Sequence, residues 1–598
     1  MSKKQKNLLP IDYTHREFSS IQEDLLEIAE RFYPDSFQDF SEASFGSLMI
    51  DAVAYVGDQL SFYLDYNVNE SFLDTAYQYS NVVRHGRALG YKFEGRPSTY
   101  GTLAMFILVP ASTTGIGPDT DYLPILKRGS SFSSANGLSF VLTENIDFSN
   151  PRNLFVAARN DSTTGAPTFY AVKAYGNVVS GQFGQEQIEV GSYERFKRIA
   201  LQTENISEII SVVDADGTEY FEVDYLAQDV IFKEITNPNF KLDNVPSIIK
   251  PLLVSRKYIT QFERNQVILQ FGSGKFNESD VVANPQSVAV NVFGKNYVNL
   301  PTFDPSRLSE NESFGIVPTN TTLTVTFRTT NGINSNVSIG SLNSVSTGLF
   351  EFVNQQDLVG SKVASIRSSL EVSNEEVISG DVSLPTTNEI KQRIYDTFPT
   401  QNRAVTQADY ENICYRMPAK FGSIKRVSVQ KDADSQKRNL NMYVVSEDTA
   451  GKLTETNSTI KNNLKTWINQ YRMINDTVDI LDPFILNFGL EFVVRPQESA
   501  DKFSVLDACI EAVKDSYKQT FFIGESLYIS NIYQVLKDVP GVLDVLTVKI
   551  FTKSGGEYST SSINIDSNLS PDGSQLLVPS NAILELKFPE VDIVGKLR

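Results

Sequence analysis

Two histidines, two cysteines, one tryptophan and six methionines are all that 598 residues supply. Each scarcity excludes something. Two Cys cannot build a disulfide framework or a Cys-based zinc site. Two His leave almost no room for His-dependent catalysis or a His-rich metal site. Positive charge is also short: 53 Lys and Arg face 72 Asp and Glu, a formal net charge of −19. Phosphate neutralisation needs the opposite balance, so a nucleic-acid binder is disfavoured. Long apolar runs are missing as well, with none near the ~18 residues of a membrane-spanning helix. The N-terminus, Met1-Ser-Lys-Lys-Gln-Lys6, is basic but leads into no signal-peptide-like apolar stretch. A chain made and assembled in a reducing cytoplasm is expected. What is abundant is aromatic: 38 Phe and 26 Tyr. A hydrophobic content of 41% with 21% charged residues is a globular balance. The length suggests about four domains.

The first ~95 residues read as helices. Thr14 and Glu17 have capping-box spacing. Phe18, Ile21, Leu25, Ile28 and Phe32 form one apolar stripe, which Pro34 ends. In a longer helix Phe45, Leu48, Met49, Ala52, Val53, Val56, Leu60, Tyr63 and Leu64 recur at three- and four-residue steps. Asp51, Asp58 and Ser61 lie opposite. A third helix is predicted from Thr75 to Leu89, with Gly90 as its left-handed cap. After Gly95 the pattern becomes strand-like. Thr102–Val109 is an apolar strand, and Asn136-Gly137 sits between two short runs as a hairpin signal. Asp214-Ala-Asp-Gly217 repeats that device. Val267–Phe271 and Thr322–Phe327 are further strands. Residues 241–385, rich in Asn, Ser and Thr, read as a separate β lobe with long loops. Helices return at Asn388–Phe398 and at Thr406–Arg416, the second with Thr406 as N-cap and Asp409 three residues on. A helix at Asn457–Tyr471 has Ile460, Leu464, Trp467, Ile468 and Tyr471 on one stripe. Strands are expected at Ile424–Val429, Leu440–Val445, Pro483–Val494 and Gly541–Phe551, with helices at Ser504–Thr520 and from Ser530. The class is α+β and multidomain. The expected regions are 1–95 helical, 96–240 β-rich, 241–385 the β lobe, 386–490 α+β, and 491–598 a C-terminal α+β domain.

Few constellations could carry chemistry. Phe271-Gly-Ser-Gly-Lys275 resembles the end of a phosphate loop, but Leu269 and Phe276 stand where a glycine and a hydroxyl are needed. A tight turn is the better reading. Asp214 to Asp224 resembles a calcium loop, but its glycine is misplaced and the flanks are strands. A hairpin with solvated carboxylates is expected. His15 and His85 share no metal-ligand spacing and read as surface or interface residues. Cys414 and Cys509 read as small core hydrophobes. Paired carboxylates remain the one catalytic device that composition permits, yet no local motif singles out a pair.

The order of several segments is more telling. Ser44-Phe-Gly46 is followed by Asn69-Glu-Ser-Phe-Leu-Asp-Thr-Ala76, Asn81-Val-Val-Arg84 and Leu89-Gly-Tyr91. Leu126-Lys-Arg-Gly-Ser-Ser-Phe132 comes next, with Phe140-Val-Leu-Thr-Glu144. Val212-Val-Asp-Ala-Asp-Gly-Thr-Glu-Tyr220 and Leu269-Gln-Phe-Gly-Ser-Gly274 follow. Arg403-Ala-Val-Thr-Gln-Ala-Asp-Tyr410 with Phe421-Gly-Ser-Ile-Lys-Arg-Val427 is the most specific. Ile523-Gly-Glu-Ser-Leu527 and Val539-Pro-Gly-Val-Leu-Asp-Val545 complete the series. Together these resemble the baseplate J-like family, the wedge proteins of contractile phage tails, in its large myophage form.

The resemblance implies a structural role in the virion tail baseplate, with no catalysis, cofactor or metal. It implies two copies per wedge, joined to a second wedge protein through a helical bundle. Wedges would form an inner ring around the central hub, with small baseplate and sheath-initiating proteins as neighbours and no nucleic acid or membrane insertion. Such a ring would pass on the shape change that triggers sheath contraction. The bundle face would be Phe45, Leu48, Met49, Val53, Val56, Leu60, Tyr63 and Leu64. Residues 491–598 would touch a neighbouring copy. A competing reading is a glycan-binding or glycoside-hydrolysing tail protein, which needs an exposed aromatic platform and two facing acids.

Overall fold

The structure is a computed structural model. It describes residues 16–32, 44–92, 97–112, 117–236, 247–263, 266–275, 314–330, 334–353, 355–383, 385–432, 439–498 and 501–598. His15, Pro34 and the Thr14 cap lie outside them. The chain forms two compact units, Met1–Phe93 with Pro385–Pro399, and Glu94–Leu384 with Thr400–Arg598. Helices precede a β-rich middle and a mixed C-terminal region, so the α+β class holds.

The first unit contains α1 (Phe18–Phe32), α2 (Phe45–Glu70), α3 (Tyr79–Ala88) and all but the last residue of α4 (Thr387–Thr400). Helix α3 starts four residues later than its pattern suggests. The preceding residues form turns, in which the Thr75 hydroxyl donates to the Asn69 carbonyl at 2.6 Å. Gly90 takes the expected left-handed conformation, φ +89°. Ala76, Val82, Tyr91, Ile390 and Ile394 form a small core. Helix α4 therefore completes the N-terminal unit rather than opening the expected 386–490 domain. Gly86 lets it approach: a Cβ there would lie 2.7 Å from Ile394 Cδ1. Thr386 and Glu389 cap α4 reciprocally.

The second unit begins with β1 (Tyr100–Pro110), β2 (Ser131–Ser134), β3 (Ser139–Leu142) and β4 (Pro167–Ser180). With Leu342–Thr347 and Glu371–Ser373 at its edges, this sheet runs Leu342–Thr347, β2, β3, β4, β1, Glu371–Ser373. Leu103, Met105, Phe132, Phe140 and Ile366 are in its core. β5 (Gln182–Val190), β6 (Ile206–Val213), β7 (Glu219–Glu222) and β8 (Thr321–Thr329) belong to a second sheet, ordered β5, β8, β6, β7, Lys257–Glu263, Gln266–Phe271, Arg198–Ala200. Gly181, at φ +116°, is the step from β4 to β5. A Cβ there would sit 1.8 Å from the Thr329 carbonyl oxygen, so no other residue fits. Arg328 is buried beside it, and donates to Ser98 Oγ (3.0 Å), the Ser180 carbonyl (2.7 Å) and Glu208 (3.3 Å). Where residues 241–385 are described, they do not stand apart: β8 pairs with β5 and β6, and Leu342–Thr347 pairs with β2. Both predicted hairpins form, but only Gly137 and Gly217 use positive φ, each closing a turn onto Ser134 or Asp214.

Downstream, α5 (Gln407–Tyr415) carries the Thr406–Asp409 capping box, and α6 (Ser458–Ile468) packs with it over Arg426–Lys431 and Asn439–Glu447. Phe484–Pro496 then pairs with Val542–Thr552, Ala582–Glu585 and Ile593–Leu597, sharing a core with helices Lys502–Ser516 and Ile529–Lys537.

Candidate functional site

Helix α2 is set by its sequence. The Ser44 hydroxyl accepts from the Ser47 backbone N–H at 3.1 Å, capping the start. One face meets α1. Gln22 donates to Asp51 at 2.6 Å, Arg16 pairs with Asp65 at 2.5 Å, and Gly57 leaves room for Ile21. Asp51 thus serves the intramolecular face, as its place opposite the apolar stripe suggests.

The stripe itself is bare. Phe45 is 73% exposed and Leu60 63%, and Leu48, Met49, Val53, Val56, Tyr63 and Leu64 are all exposed too. The helix also exposes Tyr55, Phe62 and Val68, which the single-stripe reading missed. Phe62 stacks on Tyr66 and meets Tyr63 edge-on. The signal was present in the spacing. Met49, Val53, Val56, Leu60 and Tyr63 alternate four- and three-residue steps, and so do Leu48, Ala52, Tyr55, Gln59, Phe62 and Tyr66. That alternation is the heptad repeat, written twice on one helix.

The motif after α2 holds the unit together. Glu70 accepts from the Tyr77 and Gln78 backbone N–H groups and from Asn81 Nδ2 at 2.8 Å. The Asn81 bond, followed by the two backbone donors, holds its carboxyl below the usual range. His85, half-buried, bonds through Nε2 to the Glu70 carbonyl at 2.8 Å. It has an internal structural partner.

The remaining candidates are also structural. Asp214 is not a solvated carboxylate: it is buried, receives Asp216 and Thr218 backbone N–H groups, and pairs with Arg256 at 2.7 Å. Gly272 in the phosphate-loop look-alike faces backbone, with the Phe314 oxygen 1.8 Å from where a Cβ would be. Cys414 is buried beside Met442, and burial pushes its thiol well up. Cys509 is pushed to about 11 by burial. Trp467 is half-buried, donates to the Ile413 carbonyl at 2.8 Å and meets Tyr471 edge-on, so it offers no open platform. In the groove along β5, which Glu186 and Glu189 both line, Glu186 is spent on Gln202 and Thr203. Among the described residues no cluster of His, Cys, Asp or Glu could hold a metal ion, and no helix is long and apolar enough to cross a membrane.

No curated protein matches the chain. Among solved structures, it is similar to a chain in the cryo-EM structure of the anti-feeding prophage baseplate, six-fold symmetrised. There the identity is 10%, the cover 96% of this chain and 90% of that one, and the TM-score 0.23. It is also similar to a chain of the type VI secretion system TssK-TssF-TssG baseplate subcomplex, at 10% identity, 73% and 95% cover, and TM-score 0.25. At such TM-scores neither likeness carries an argument. The match that does carry one is local and falls on the helices just described: residues 14–88 match the family described as the bacteriophage baseplate protein, N-terminal domain. That likeness covers the segment that bears the exposed apolar rows, 75 of the 598 residues.

Proposed function

We propose that the chain is a non-enzymatic structural component of a contractile-tail baseplate, built into the wedge through α2. The observation that supports this most is the bare apolar face of α2 inside the matched segment. Monomeric proteins rarely leave contiguous apolar surface of that extent in water. Two heptad rows on one helix, beside a third face taken by α1, suit a bundle with two further helices. One partner helix would cover Met49, Val53, Val56, Leu60 and Tyr63. The other would cover Leu48, Tyr55, Phe62 and Tyr66. A second copy and a second wedge protein would fill these places. Wedges joined in this way would form the inner ring around the hub, located in the virion, and relay the shape change that starts sheath contraction. Large apolar interfaces joined by the sheet body suit that mechanical task.

The test is co-assembly with the wedge partner. Leu60→Asp with Leu64→Asp should abolish it while circular dichroism shows the sheets intact. Co-assembly at wild-type affinity would overturn the bundle. Side-chain-resolution imaging of the assembled particle would show the ring and its partners directly.

A further inference from the structure

The motif Arg403-Ala-Val-Thr-Gln-Ala-Asp-Tyr410 is unexplained by a bundle on α2. Its surroundings are unusual. Gln401 and Asn402 both have positive φ, 43° and 60°. Consecutive left-handed residues other than glycine carry strain and persist only when held. Here they are held: the Arg403 N–H donates to the Thr400 carbonyl at 3.0 Å, and Arg416 Nη2 donates to Asn402 Oδ1 at 3.0 Å. The Ala404 N–H donates to the Tyr471 carbonyl at 2.9 Å, joining this loop to the turn after α6. That turn is pinned in its own right. Asp476 accepts from Tyr410 Oη at 2.9 Å, its carbonyl accepts from Arg472, and its N–H closes on Met473.

Two rigid loops thus stand side by side, and what they present is apolar and basic. Ile474 is 96% exposed, Val405 56% and Met473 45%. Arg403 is exposed and pairs with no carboxylate among the described residues, while Arg416 and Arg472 flank it. The nearby acid Asp409 is engaged by the Val405 and Thr406 N–H groups. Residues 401–482 hold 12 Lys and Arg against 10 Asp and Glu, a near-balanced stretch in a chain of net charge −19, so the positive charge here is that of Arg403, Arg416 and Arg472. Methionine and arginine around an exposed aliphatic anchor are an interface composition.

The complementary surface is on the same chain. Residues 16–92 hold 13 Asp and Glu against 5 Lys and Arg. On α1, Glu23, Glu27 and Glu30 are exposed at four- and three-residue steps, and none meets a cation among the described residues. Leu26, half-buried, borders this row, while the exposed Ile28 and Phe32 lie on the opposite side of the helix. A bundle on the bare rows of α2 would leave this acidic row outside.

We propose that the Val405–Ile474 surface docks helix α1 of a second copy, with Arg403 facing the Glu23–Glu27–Glu30 row and Ile474 as the apolar anchor. The contact is head-to-tail, joining different patches on the two copies, so it propagates and closes when the rotation permits. It rests on reading the chain as a self-associating baseplate component. It differs from the bundle in using charge, and so weakens with salt.

Sedimentation of the full chain tests it. Arg403→Glu and Ile474→Asp, at exposed side chains, should each weaken self-association by about tenfold or more. Glu23→Lys with Glu27→Lys should do the same, and combining them with Arg403→Glu should restore it. Unchanged association in Arg403→Glu and Ile474→Asp, or no recovery in the combined variant, overturns the proposal. Leu60→Asp with Leu64→Asp separates the two readings. If only that variant dissociates the copies, the α1 contact falls and the bundle stands. If it keeps its helical partners while Arg403→Glu dissociates the copies, the bundle falls and the α1 contact stands.

Discussion

The helical unit and the sheet unit use apolar residues in opposite ways. In the sheets, Phe132, Phe140, Leu103, Val325 and Phe271 are fully or almost fully buried. On α2 only Gly46, Ser47, Ala54 and Glu70 are buried, while the large apolar side chains face out. The difference separates two roles of the hydrophobic effect. In one unit it is satisfied within the chain and sets stability. In the other it is left in water, and under the proposed function it would stabilise association by about 25 cal/mol for each Å² covered.

Four substitutions would sharpen or break that contrast. Phe140→Ala should lower unfolding free energy by about 3–5 kcal/mol, because it opens a cavity in a packed sheet core. Denaturant unfolding measures this, and a loss under about 1 kcal/mol would mean the sheet core is not as packed as it looks. Ile394→Ala should cost about 2–4 kcal/mol. Its effect should appear in the helical signal, since Ile394 belongs to the core of the N-terminal unit. Glu585 gives a smaller, pH-dependent effect. Burial raises its carboxyl above the ordinary 4.5, against bonds from the Leu453 N–H and Asn487. The folded state then holds the proton more tightly than the unfolded chain. Its stabilising contribution is full below the unfolded value and is lost as pH rises through the folded one. Stability of the wild type relative to Glu585→Gln should therefore fall between pH 4.5 and neutrality, and a flat difference would refute the shift. Leu60→Asp should change the stability of the isolated chain least, by about 0.5 kcal/mol or less, because its side chain is already in water. A thermal shift like that of Phe140→Ala would show that α2 packs within the chain.

Much of this was legible where the cause is local. Thr406 and Asp409 form their capping box because the hydroxyl and the carboxylate sit three residues apart. Gly90 ends its helix and Gly137 closes its hairpin because those positions need positive φ. The eight apolar residues of α2 were visible as a stripe, but sequence period cannot tell a buried face from a bare one. The second row, Leu48, Tyr55, Phe62 and Tyr66, needed a 3.5-residue period to be seen. What could not be read was distant. Asp214 is buried by Arg256, which lies 42 residues away. β8 pairs with strands more than a hundred residues earlier. Ile390 and Ile394 carry no mark that they pack on α3 rather than on their nearer neighbours.

That last packing has a consequence in time. Val82 and Tyr91 leave the ribosome about 300 residues before Ile394, the residue that covers them. At roughly 5–20 residues per second, the gap is about 15–60 seconds. During that interval the N-terminal helices are made but their core is open, and the apolar rows of α2 are already outside. The chain is therefore most exposed to premature association while it is still being synthesised. Closure by α4 completes that core and ends the interval.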